Sequence, residues 1–313
     1  MPVCARVKRL MAAGLPRDVA GRVSGLMGAR GSGSTAARTA AGSTGGGSMA
    51  SGLWQRLSEA WHGASMQQEH PAQDLPLAGP WPLADSSAAA AQASLLGNEQ
   101  LMIQVQVLAY DLAQALHQEL ASQGAVHWPT LLAAAGALAG YSCQASVATL
   151  ARQHGLAAEQ ALRVQQLGDG RRYSRAASVD RLLLEDHPSL WSVLSAAARQ
   201  QGVRAEQLPN IGQLYSYVGA TVGTSSFGVM RIEPVWQPLQ PLHCWPERLW
   251  PQCHIRLQQS GIDARYWHVV FALVAYQLMG QASAWVPAQI ALQILMESAL
   301  PASRLVLQGG ARH

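Results

Sequence analysis

Lysine is nearly missing from this chain. Lys8 is the only one in 313 residues, so the body of the protein has no amine for Schiff-base catalysis and none for a phosphate-binding lysine. The glycine loops that cradle phosphates are missing too. No G-x-G-x-x-G and no G-x-x-x-x-G-K-[S/T] occurs, and Gly223 and Gly228 bracket four residues rather than the three of a hydrolase nucleophile elbow. No cofactor is expected. Charge is scarce as well, with 13% charged residues against about a quarter in ordinary domains. A charge-poor chain rich in Ala, Leu and Gln predicts helices packed on one another, with Gln supplying much of the polar surface.

Cysteine is sparse. Cys4, Cys143, Cys244 and Cys253 are too few and too scattered for a disulfide framework, which makes a reducing, cytoplasmic setting the expectation. Cys143 lies in an Ala-flanked apolar stretch, where nothing would hold a thiolate, and reads as a small core residue. His243-Cys244 and Cys253-His254 bring four ligand-type residues within twelve positions. On one helix the two cysteines would face opposite ways, and the two histidines would stand about 16 Å apart along the axis. Only a loop, which Pro246 and Pro251 would allow, could gather them at a zinc. No metal is expected, and buried cysteine with surface histidine is the preferred reading.

What charge there is sits unevenly. Residues 1–48 carry seven basic side chains against Asp18 alone, whereas the rest of the chain has 15 basic and 17 acidic. The basic balance belongs to the tail, so the folded body has no surplus with which to bind nucleic acid. The tail itself is Gly-, Ser-, Ala- and Arg-rich and too poor in apolar residues to order itself. It superficially resembles a transit peptide, and an over-long start or an added linker explains it equally well.

Residues 49–94 read as a short amphipathic helix with Leu53, Trp54, Leu57 and Trp61 on one face, followed by a Pro/Ala-rich linker. Trp54, Leu57 and Trp61 are candidates for docking a partner or a membrane surface, with folding back onto the protein's own domain as the blander outcome. A helical domain is expected from residue 95 to 307, and a disordered end at 308–313. Leu131–Ala151 and Tyr266–Met296 contain no charged residue. Ala, Gly, Gln and Ser dilute them, so buried core helices explain them better than membrane spans.

Within that domain, Asn98 caps a helix ending at Gly124, and Trp128-Pro129 opens a second through about Arg152. A third is expected over Ala157–Leu167. Pro188, at the first helical position, starts Ser189–Gln201, and Ile211, Leu214, Tyr215, Val218 and Val222 mark another helix, ended by Gly223. The prolines at 238, 241, 246 and 251 should break the next region into turns and short helical pieces. Asp263–Gly280 and Pro287–Leu300 close the series. The fold class expected is a mainly α, multi-helix domain with one short two-stranded ribbon between 171–175 and 227–233.

The stretch from Pro209 to Pro234 combines a helix end, a loop of small residues and an extended run, and is where a site is sought first. Asp169, Arg171, Arg172 and Tyr173 at the preceding turn, with Tyr217, Ser225, Ser226 and Arg231, are the candidate ligand-binding residues. The arginines could recognise carboxylate or phosphate, and the hydroxyls and glycine amides an anion; each is also an ordinary loop residue.

Three segments, GYSCQAS (Gly140–Ser146), LWSVLSAAARQQG (Leu190–Gly202) and TVGTSSFGVMRI (Thr221–Ile232), resemble a group of conserved bacterial proteins without an assigned activity. The resemblance implies one helical unit of bacterial cytoplasmic origin and carries no catalytic residue. The first functional expectation is a non-enzymatic binding or interaction module, with a protein partner or a second copy of itself. The second is a metal-independent small-molecule hydrolase or transferase with its site near the 168–175 turn and the 223–231 loop, using the Arg171/Arg172 and Ser225/Ser226 region. The third is a membrane-associated protein.

Overall fold

A computed structural model describes residues 98–121 and 125–307. The tail, the Trp54/Leu57/Trp61 segment with its linker, Gly124 and the 308–313 end lie outside the described residues. The fold is mainly α. Helix α1 (Glu99–Leu120) begins where the Asn98 side chain accepts the Leu101 N–H at 3.0 Å, and its stripe of Val105, Leu108, Leu112 and Leu116 is buried.

Helix α2 (Trp128–Gln153), with Pro129 in its first turn, runs through the centre of the domain. Among the described residues it is the one helix long and apolar enough to cross a membrane. Yet 89% of its most apolar window is covered by the protein's own side chains. The covering comes chiefly from α8 (Trp267–Ala282) and α9 (Ala288–Ala302), the two helices into which the second charge-free stretch folds. A helix enclosed on all sides can afford no polar face.

The α2–α9 contact is made by backbone. A methyl group placed on Gly136 would collide with the Leu295 carbonyl, and one on Gly140 with the Ala299 carbonyl. Glycine four residues apart removes the side chains that would otherwise hold the helix axes farther apart.

Between α2 and α9 the chain departs from its expected course in four places. The third helix, α3, stops at Leu162 (Ala158–Leu162), because Arg163 turns left-handed at φ 49°; the freed chain becomes β1 (Gln165–Gln166). That strand pairs antiparallel with β2 (Arg172–Tyr173), whose other edge takes β3 (Leu305–Val306) near the C-terminus. The ribbon therefore has three strands, and residues 227–233 are not among them. They form turns closed by Phe227 N–H to Thr224 O and Val229 N–H to Ser226 O instead.

Pro188 precedes its helix rather than opening it. A short helix α4 (Ala177–Asp180) leads through a wide turn to α5 (Leu190–Gln200), where Ser189 caps and exchanges reciprocal hydrogen bonds with Ser192. The region from Cys244 on is one continuous helix, α7 (Cys244–Ser260), and not a set of broken pieces. Pro246 falls in the first turn, where its missing N–H has no intrahelical acceptor anyway. Pro251 does remove an interior bond. The burial of Trp245, Leu249, Trp250, Cys253 and Leu257 on one face outweighs that loss, because each such side chain contributes about 1.5–3 kcal/mol against about 3 for the proline.

Buried polar groups lock the remaining ends together. Arg304, just before β3, donates to Asp180 at 2.6 Å. Tyr215, on α6 (Ile211–Thr221), donates to the other Asp180 oxygen at 3.0 Å and lies under the Arg304 guanidinium, 5.1 Å from its ring centre. Burial pushes the Asp180 carboxyl up, and the adjacent Arg304 charge opposes that rise. Gln144 on α2 donates to the Ser303 carbonyl at 2.7 Å. On α8, His268 is enclosed, with Nε2 3.2 Å from the Pro188 carbonyl oxygen, and desolvation lowers its pKa from 6.5 to about 4.

Two outcomes are expected. Gly140→Ala should cost about 1–3 kcal/mol of unfolding free energy, the usual range for overpacking, read as a fall in the urea midpoint with no change in slope. His268 is neutral when folded and takes up its proton more readily when unfolded. Stability should therefore be complete above pH 6.5 and decline by ~3 kcal/mol as pH falls towards 4. His268→Gln should flatten that part of the pH–stability curve.

Candidate binding cleft

The turn before β2 is built around one carboxylate. Asp169 accepts the Arg171 N–H at 3.0 Å and the Tyr173 hydroxyl at 2.5 Å. The phenol bond is the main reason its pKa lies below the usual value. Tyr173 is 1% exposed, and burial, reinforced by the Asp169 bond, pushes its hydroxyl up to about 12. Its ring meets Phe227 edge-on at 5.1 Å, which ties the 168–173 turn to the 224–230 loop.

That loop begins where α6 ends. Gly223 and Gly228 both sit at positive φ, 79° and 77°, a conformation that costs other residues strain. Between them, Thr224 Oγ1 donates to the Thr221 carbonyl and receives the Ser226 N–H. Beyond Gly228 the chain passes over α9. The Arg231 N–H donates to Glu297 at 2.6 Å, and Gln237 holds the Met230 and Ile232 carbonyls at 3.2 and 3.0 Å. Leu239 N–H then donates to Thr130 at the start of α2. The loop and the Pro238–His243 run are thus anchored at both ends to rigid helices, and between them lies a cleft of about 510 Å³.

Arg171, Thr224, Ser225, Gln237, Gln240 and His243 are its polar lining residues. Phe227, Met230, Leu242 and Trp245 supply apolar walls, while Leu239 and Val229, 72% and 54% exposed, form an apolar lip. Among the described residues lining the cleft, Arg171 is the one fixed charge. Its side chain is hydrogen-bonded to the Tyr173 hydroxyl and lies in the field of the Asp169 carboxylate. The nearby Asp169 directs its oxygens to the Arg171 backbone and to Tyr173.

The candidate residues separate into three places. Arg171 and Ser225 face the cleft, and Asp169 and Tyr173 support its edge. Arg172 turns to the outer side of the ribbon, 3.7 Å from Glu159. Tyr217 and Arg231 stack on each other at 4.2 Å, beside a void of about 10 Å³ that also borders Glu297 and has room for at most one water. The Ser226 carbonyl accepts from Val229 N–H, with Tyr217 Oη at 3.4 Å. The cleft is thus lined by Arg171 and Ser225, one member each of the Arg171/Arg172 and Ser225/Ser226 pairs.

The loop needed to gather a zinc is not formed either. Cys244, Cys253 and His254 are spread along α7, His243 lines the cleft, and His254 stacks on Trp250 at 5.8 Å. Cys253 is buried, with its thiol pushed up to about 12 by desolvation, and no cluster of three or more metal-ligand side chains exists among the described residues. Cys143 is likewise a core residue whose thiol burial pushes strongly up.

No family model, curated protein or solved structure matches this chain. The resemblance carried by Gly140–Ser146, Leu190–Gly202 and Thr221–Ile232 therefore rests on those segments alone, and they fall in α2, in α5 and at the α6 end with its loop. Met230, Gln237, Leu239, Leu242 and Trp245 were not among the expected site residues. The Pro238/Pro241 pair, a turn signal, was the one pointer to Leu239, and the other four carried none.

Tyr173→Phe tests the supporting turn. Loss of the phenol bond should lower stability by ~1 kcal/mol, and the Asp169 carboxyl, followed by NMR, should move up towards its ordinary value of 3.8.

Proposed function

We propose that this protein is a non-enzymatic binding module and that it engages its ligand in the cleft between the 224–230 loop and the Pro238–His243 run. The observation that carries the reading is the composition of that cleft. It combines apolar and aromatic walls with polar groups from both bordering segments, Arg171, Thr224 and Ser225 as well as Gln237, Gln240 and His243, on a scale of about 510 Å³, within the ~300–1,000 Å³ usual for small-molecule sites. Its walls are loops tied at several points to α2, α6 and α9, the usual way a rigid scaffold presents a recognition surface.

An exposed lip of Leu239 and Val229 supports the same reading, since apolar side chains held outward beside a concavity gain by being covered. Buried partners hold the loop that carries them: Glu297 receives the Arg231 amide, and Thr130 receives the Leu239 amide. The arrangement is thus available before a ligand arrives, which limits the ordering cost on binding.

Nile red, a neutral apolar dye, is a suitable first probe. The native protein should bind it with a blue-shifted emission. Leu239→Arg, at a 72% exposed position where folding is not at stake, should weaken binding about tenfold or more, the equivalent of ~1.4 kcal/mol. Equal binding by the native protein and the variant would remove the cleft from consideration.

A further inference from the structure

We infer that the protein's own segment 53–61 packs, through Leu53, Trp54, Leu57 and Trp61, on an apolar surface at the end of the domain where α2 begins. That surface borders the cleft and does not depend on a ligand entering it. Two exposed side chains make it. Trp285, in the turn between α8 and α9, is 62% exposed. Its amide donates to the Ala282 carbonyl at 2.9 Å, and its ring stacks on Trp128 at 5.1 Å and 16°. One face of the indole is therefore covered, while most of the side chain stays open to solvent. Leu239, 72% exposed, is fastened to the same first turn of α2, because its amide donates to Thr130 at 2.9 Å. With both residues held outward by these partners, the cost of their exposure is relieved by a covering apolar group.

A group of that kind exists in the same chain. At helical spacing Leu53, Trp54, Leu57 and Trp61 fall on one face, with Gln55, Arg56 and Glu59 opposite. Trp54 and Trp61 would then stand about 10 Å apart along the axis, so that each can meet a separate anchor. An apolar face carrying two tryptophans is as costly to leave in water as the surface around Trp285 and Leu239, and packing the two together removes both costs at once.

The length of the intervening chain favours this occupant. Residues 62–97 connect the segment to Asn98 at the start of α1, and a linker of that length averages about 30–36 Å from end to end. Helix α1 has 22 residues and is therefore about 33 Å long. Its far end adjoins the surface, since the His117 ring lies 5.7 Å from that of Trp128. Reach and span coincide, which is the condition for the highest effective concentration, on the order of millimolar. A foreign occupant at about micromolar concentration would need ~1,000-fold greater affinity to compete. The surface is assigned to the chain itself on that ground.

The test is photo-crosslinking in the full-length protein. The photoreactive residue p-benzoyl-L-phenylalanine replaces Trp285 in one preparation and Leu239 in another. A third carries it in place of Leu156, which is 39% exposed beyond the opposite end of α2. Natural-abundance and heavy-nitrogen chains are mixed in equal amounts before irradiation, and the joined peptides are mapped by mass spectrometry. Positions 285 and 239 should attach to residues 53–61 of a chain with the same label, and position 156 should not. Trp54→Gln together with Trp61→Gln should lower that yield about tenfold, because the tether alone supplies proximity without a contact. Peptides joined between differently labelled chains would give the surface to a second copy and overturn the inference. Absence of attachment to 53–61, an equal yield from position 156, or a yield that survives the tryptophan substitutions would overturn it too. The binding reading is decided separately, by the effect of Leu239→Arg on Nile red.

Discussion

The backbone contact between α2 and α9 sets the geometry of the domain. Gly136 and Gly140 bring α2 so near that a single added carbon would meet the carbonyls of Leu295 and Ala299. Side chains elsewhere on these helices then have to fill a space already defined by that distance, which is why Leu131, Leu132, Leu138, Leu292 and Leu295 are essentially inaccessible. The same contact fixes where α9 ends. The chain that leaves it can therefore place Arg304 on Asp180 and Leu305–Val306 on the edge of the ribbon.

The cleft depends on this arrangement at second hand. One wall is held by Glu297 of α9, which receives the Arg231 amide, and by Thr130 of α2, which receives the Leu239 amide. The other wall is the turn supported by Asp169 and Tyr173, attached through β2 to the strand that follows α9. A substitution that pushed α2 and α9 apart would reach the cleft without touching it, because both walls take their positions from the same pair of helices.

Buried charge is sparing and local. Asp180, Arg304 and Tyr215 satisfy one another in a space where an unpaired member would be costly. His268 is instead accommodated by remaining neutral. Such groups add little net stability compared with apolar packing, but they demand one register. Arg304 can meet Asp180 in only one placement of the C-terminal strand, and that placement also brings Leu305 to the cleft.

Helices with clear caps and a regular apolar period were legible in the amino-acid order. Asn98, the Trp128-Pro129 pair and the charge-free runs each declare their element through local hydrogen bonding and periodic burial, so the mainly α class followed from the chain itself. Lysine chemistry, nucleotide loops and an elbow serine were excluded in the same way, since each needs residues in contiguous spacing. The rest depended on contacts across long separations. Pro251 reads as a helix breaker until Trp245, Leu249 and Leu257 have a core to enter. Gln165–Gln166 reads as helix until β2 offers a pairing edge, and Arg172 and Arg171 look equivalent until the ribbon turns one outward and the other into the cleft. Local rules decided where helices could form; burial and pairing between distant residues decided which of them did, and which side chains were left facing a space that a ligand could fill.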